Sequence, residues 1–119
     1  MKICITSRGP EFTSEVDPRF GRAAYFIIAD TETGEFEAKE NGAVNAAGGA
    51  GVQAAQGVVE AGVKKVLTGN VGPNAFQVLN KAEISIIVDV QGTVEEAFNK
   101  FRSGDLEGSE TSGPTVKGK

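Results

Sequence analysis

The 119-residue chain is long enough for one domain and too short for two independent cores. Twelve Lys and Arg against sixteen Asp and Glu leave a net charge of −4, which argues against a general nucleic-acid or anionic-membrane binder, because counterion release needs a broad basic face. With one Cys and no His, there is no intramolecular disulfide, no zinc site of the Cys/His type, no Cys–His or Ser–His nucleophile pair and no histidine general base.

Apolar residues at 39% and charged residues at 24% read as a globular chain. No apolar run approaches the roughly 20 residues that span a bilayer, and the opening Met1–Thr6 is too short for a signal-peptide core. The expected location is therefore the cytoplasm, where a lone thiol stays reduced.

Ile3 to Ser7 is apolar and β-branched, a first strand that Arg8-Gly9-Pro10 ends. The polar stretch from Glu11 to Arg22 reads as a loop. Ala24 to Asp30 is the strongest strand, Asp30 opening the turn Thr31–Gly34. Glu35 to Glu40, with Phe36 and Ala38 alternating between charged residues, reads as an edge strand with one wet face. Asn41 to Gly51 is almost all Gly, Ala and Asn, and Val52, Ala55, Val58, Val59 and Gly62 then fall at helical spacing. Val66-Leu67-Thr68 is a short buried strand. Pro73 stands at a helix's first position, where its missing N–H is no loss, and Ala75, Phe76, Leu79 and Ala82 form that helix's apolar stripe. Ile84 to Val88 is the last strand expected. Thr93 and Glu96 make a capping box ahead of the helix face Val94, Ala97, Phe98 and Phe101.

The order β-β-β-α-β-α-β-α predicts a single-domain α/β fold: a five-stranded mixed sheet in the order 3-2-1-4-5, strand 2 antiparallel to the rest, with three helices. Residues 1–102 form the domain, and 103–119 a polar, Gly-rich flexible tail. The edge strand Glu35–Glu40 leaves the chain a monomer or a weak homodimer, its acidic flank working against pairing.

In such a sheet ligands bind beyond the carboxyl ends of the parallel strands, where the winding switches, here between strands 1 and 4. Ser7-Arg8-Gly9, Asn45–Gly51 and Gly69–Asn74 converge on that end. Side-chain-poor loops entering helix N-termini expose backbone N–H groups and the positive end of the helix dipole, so a small anion is the natural ligand. The plainer alternative is that these glycines only make tight turns. Gly49-Ala50-Gly51-Val52-Gln53-Ala54 fits G-x-G-x-x-A but neither follows the first strand directly nor is answered by an acidic residue after the next, so a dinucleotide site is not supported. Three of the four arginines, Arg8, Arg19 and Arg22, lie between strands 1 and 2. The guanidinium fork suits anionic oxygens, whereas Glu11, Glu15 and Asp17 in the same loop offer simple surface pairing. Cys4, mid-strand, reads as core. Phe26, Phe76, Phe98 and Phe101 are core candidates, and Phe12 and Phe20 are open. A magnesium nuclease built on Asp17, Asp30 and Asp89 is the weakest reading, for want of a basic track.

Val16-Asp17-Pro18-Arg19-Phe20-Gly21-Arg22-Ala23, followed by a Tyr-Phe-Ile-Ile strand, resembles the signature of the dinitrogenase iron-molybdenum cofactor biosynthesis family, the NifX- and NafY-like domains also found fused to NifB. The resemblance continues through Asn45–Gln56, Leu67–Phe76 and Ser112-Gly113-Pro114. It implies a ribonuclease-H-like fold and a non-catalytic carrier of iron–sulfur precursors or the iron-molybdenum cofactor, working beside cofactor-assembly proteins. Residue by residue it points to Arg19, Phe20, Gly21 and Arg22, to Gly48, Gly49 and Gly51, and to Gly69, Asn70, Gly72 and Asn74, which Arg8 joins from the loop arithmetic above. Many members carry a His or Cys in or beside the signature; here Arg19 and Ala23 stand there. No metal-ligating set is expected, and the cargo is held by charge and hydrogen bonds. The alternative is a module for another small anion, such as a phosphorylated metabolite. No nucleophile–base pair marks an enzyme.

Overall fold

The computed structural model describes residues 1–43, 49–106, 108–111 and 113. Its elements run β1 (Lys2–Ser7), β2 (Tyr25–Asp30), β3 (Phe36–Glu40), α1 (Ala50–Glu60), β4 (Lys65–Leu67), α2 (Pro73–Lys81), β5 (Ser85–Val88), α3 (Val94–Ser103) and β6 (Ser109–Glu110). The strands form one mixed sheet in the order β3-β2-β1-β4-β5-β6. β1 is parallel to β4 and β4 to β5, while β2 runs antiparallel to both β1 and β3.

The expected strand order holds, but the sheet has six strands instead of five. Ser109–Glu110 adds antiparallel to β5 within the stretch read as tail. A two-residue strand of Ser and Glu has no apolar alternation to detect, so only the pairing reveals it.

Alternation along the central strands divides the interior into two layers. Cys4, Phe26, Ile28, Val66, Ile86 and Val88 face α1 and α2, where they meet Ala54, Ala55, Val58, Ala75 and Leu79. Ile3, Ile5, Ile27, Ala29 and Leu67 face α3 and meet Val94, Ala97 and Phe98. Each fully buried Ile or Leu contributes about 1.5–3 kcal/mol.

Two elements carry their own start and stop signals. The Thr93 hydroxyl accepts from the Glu96 N–H, and the Glu96 carboxylate accepts from the Thr93 N–H, so α3 begins in the expected capping box. At the β2–β3 turn the Asp30 carboxylate accepts from the Glu32 N–H at 2.8 Å, and this bond holds its pKa below the ordinary Asp value. Phe36 is exposed on β3 and stacks on Phe12, which packs edge-on to Phe98.

Candidate functional site

The 17-residue connection between β1 and β2 (8–24) is built into the top of the sheet. The Asp17 N–H donates to the Thr6 carbonyl, the Thr6 hydroxyl donates to the Asp17 carbonyl, and the Thr6 and Thr68 hydroxyls lie 2.9 Å apart. Thr6 and Thr68 are both fully buried at the ends of β1 and β4, so these bonds satisfy polar groups that would otherwise be costly there. Further on, the Asn70 N–H donates to the Pro18 carbonyl at 2.8 Å and the Phe20 N–H to the Asn70 carbonyl at 3.3 Å, joining the loop to the β4–α2 turn.

Gly69 makes that join possible. A Cβ there would lie 2.6 Å from both the Cα and the carbonyl oxygen of Pro18, so the two backbones touch where a side chain would stand. Phe20, left open by the sequence, is 1% exposed and packs against Phe26 with ring centroids 5.4 Å apart. It pins the loop to the α1/α2 layer and presents no surface to a ligand.

Beyond Phe20 the loop meets both helix starts. A Cβ on Gly21 would sit 3.1 Å from the Cα of Gly51, and one on Gly51 would sit 3.4 Å from the Cβ of Ala75. Gly21, the first turn of α1 and the first turn of α2 thus form one junction. The N-caps of these helices are Gly49, in the left-handed region, and Gly72, extended; neither start has a side-chain cap or an acidic residue in its first turn. α3 differs on both counts, with its capping box and with Glu95 and Glu96. The open N-terminal donors, and the dipole ends behind them, belong to α1 and α2.

The arginines divide. Arg19 and Arg22 flank the junction, both exposed. The Asp17 carboxylate, 3% exposed, accepts from the Arg19 N–H at 3.0 Å and from its Nε at 3.3 Å, while the Arg19 side chain is 61% exposed. The local ion pair foreseen as the plain alternative is therefore formed, and it leaves the outer guanidinium nitrogens in solvent. Arg8 is fixed through its N–H to the Glu15 carbonyl, in a stretch whose other bonds, Val16 N–H to Gly92 O and Val94 N–H to Ser14 O, lead to the start of α3. The trio is thus two arginines at the junction and one whose backbone bonds run towards the opposite layer.

Of the remaining residues singled out, Asn74 is exposed in the first turn of α2, Asn70 is engaged through its main chain, and Gly48 lies outside the described residues. Sequence reasoning missed Asn41. It is buried, and its amide donates to the carbonyls of Gly21 and Ala23 at 3.0 and 2.8 Å, holding the signature loop from below. A polar residue just after an edge strand carries no local mark of such a role. Asn41 also lines a cavity of about 350 Å³ between α1 and the β2–β3 hairpin, floored by Phe26, Ile28, Ala54 and Val58. That cavity does not include the arginines or the helix starts.

Cys4 is fully buried among aliphatic side chains, and desolvation pushes its thiol well above the ordinary range. A thiol held protonated is no metal ligand. Among the described residues no group of three or more His, Cys, Asp or Glu is placed to hold a metal ion, and no helix is long and apolar enough to cross a membrane. The donor set at the junction is N–H groups and guanidinium, which fits an anion held by charge and hydrogen bonds.

A family model described as dinitrogenase iron-molybdenum cofactor matches residues 1–104. The protein MJ0580 of Methanocaldococcus jannaschii is 31% identical over 110 residues, 90% of each chain. Among solved structures, the apo form of the orange protein from Desulfovibrio gigas superposes with a TM-score of 0.90 at 40% identity, covering 97% of this chain and 96% of that one. TM1290 from Thermotoga, described as a candidate NifB protein of the DUF35 family, gives 0.81 at 39% identity, covering 97% and 98%.

Proposed function

The chain belongs to the dinitrogenase iron-molybdenum cofactor family, and from that membership we propose that it is a non-catalytic carrier or scaffold whose cargo is an anionic metal cluster, an iron–sulfur or iron-molybdenum-type cofactor or a precursor of one. The observation that carries the reading is the convergence of two helix starts without side-chain caps, at Gly49 and Gly72, on the loop that bears Arg19 and Arg22. Free N–H groups at helix ends and guanidinium groups bind anions without displacing a ligand from the metal. The likeness to a protein described in an apo form supports a binding role. A cargo held this way is readily passed on, which suits cofactor-assembly proteins as partners.

The lack of thiolate or imidazole at the junction favours one second reading on the same residues, a phosphorylated metabolite in place of a cluster. The two separate experimentally. Anaerobic incubation with a synthetic iron–sulfur cluster bearing labile ligands is expected to give a protein-bound charge-transfer spectrum, and Arg19→Ala with Arg22→Ala is expected to weaken that binding about a hundredfold or more, since two charge-assisted contacts of about 1.5–3 kcal/mol each are lost. Protein that stays colourless under every loading condition, while pyrophosphate raises its unfolding midpoint, favours the metabolite; any ligand of the native state must raise it. No binding of either removes both.

A further inference from the structure

The two edges of the sheet differ. One is closed by the two-residue β6, while the other, β3, is five residues long and bears the exposed Phe36. The Asp30 N–H donates to the Glu35 carbonyl and the Asn41 N–H to the Ala24 carbonyl. With the β2–β3 register of Ile28 opposite Glu37 and Phe26 opposite Lys39, alternation then turns the N–H and C=O groups of Glu35, Glu37, Lys39 and Asn41 towards β2. Those of Phe36, Ala38 and Glu40 point outward and are free to pair.

From this geometry we propose that β3 is a self-complementary edge on which two copies of the chain join antiparallel about a two-fold axis through Ala38. In that register Ala38 pairs with Ala38 of the second copy, and Phe36 with Glu40 of the second copy, through the outward groups. Glu37 then stands directly opposite Lys39 of the second copy, and Lys39 opposite its Glu37, in the closer, non-hydrogen-bonded class of pair with Cα atoms about 4.5 Å apart. Sliding by one bonded pair in either direction sets Glu37 against Glu37 or Lys39 against Lys39. The slide to Glu37 against Glu37 keeps Glu35 opposite Lys39 but adds that repulsion, and the slide to Lys39 against Lys39 has no opposite-charge pair. Only the central register therefore joins opposite charges with no like-charge pair, and charge favours it over its neighbours. Glu37 and Lys39 lie on the α1 side, so the cavity beside Lys39 and its copy would border one trough across the joined sheets. The interface goes beyond the carrier reading and does not depend on what the junction binds.

A five-residue edge buries less than the about 1,200 Å² at which stable interfaces begin, so the dimer is weak and depends on concentration. Analytical ultracentrifugation of the full chain from micromolar to near-millimolar concentration is expected to show the mass rising from 12.4 kDa towards twice that value. Glu37→Lys and Lys39→Glu each place two like-charge pairs across the axis and are expected to stay monomeric, while the double swap recovers association. Ala38→Pro removes an outward N–H, leaves the β2 ladder intact and is expected to be monomeric with an unchanged circular dichroism spectrum. A wild-type chain that stays at 12.4 kDa throughout, a Lys39→Glu variant that associates like wild type, or a double swap that recovers nothing overturns the proposal.

Discussion

Asp17 sits 2% exposed in an otherwise polar loop, and every bond around it is local or reaches the sheet's end. Its carboxylate orients Arg19 while its main chain closes on Thr6, so one residue couples the guanidinium to the top of β1. A buried group without such partners behaves differently. Cys4 keeps its proton when folded because desolvation opposes the thiolate, whereas the unfolded chain loses it from about pH 8.5 upward. Above that value the unfolded state binds fewer protons, so stability is full below it and falls as pH rises, by up to about 1.4 kcal/mol per unit. Urea midpoints measured from neutral to alkaline pH are expected to fall less steeply in Cys4→Ala than in wild type. Equal slopes would place the alkaline sensitivity elsewhere.

At the scale of the element, the three helices begin in two ways. α3 supplies its own cap, and Thr93→Ala is expected to cost about 1 kcal/mol in a denaturant titration, with no effect on ligand binding. α2 has none: Gly72 is extended with open space where a Cβ would lie. Gly72→Asp is therefore tolerated sterically and supplies a carboxylate acceptor for the free N–H groups. It is expected to raise stability by up to about 1 kcal/mol while abolishing anion binding. Anion binding that is kept or strengthened in the folded variant would show that this helix start does not hold the ligand. Such opposed effects follow only where a stabilising feature has been left out in favour of a ligand.

For the molecule as a whole, the β1–β2 connection ties the two layers together. Val16 belongs to the α3 layer and Phe20 to the α1/α2 layer, so the loop crosses the sheet's end and is anchored in both cores. In native-state hydrogen exchange the Asp17 and Asn70 amides, bonded to Thr6 O and Pro18 O, are expected to open only with the central strands. Exchange at surface-loop rates would mean that the loop moves independently of the fold. A rigid loop also fits a site that is largely formed before its ligand arrives, which lowers the ordering cost of binding.

The sequence by itself determined the strand and helix order, the sheet order around β1, the capping box on α3, the core role of Cys4 and the family. Each of these is written locally, in periodicity, in a cap or turn residue, or in a contiguous signature, and so survives without knowledge of long-range contacts. Tertiary structure alone decided the rest. β6 exists only through its pairing with β5. Phe20 is core because Phe26 lies beneath it; Asn41 matters because Gly21 and Ala23 pass above it; and Arg8 parts from Arg19 and Arg22 because the loop between them crosses the sheet. The physical reason is the same in each case: these roles are set by which backbone happens to approach, and that is fixed only once loop closure has brought distant segments within bonding distance.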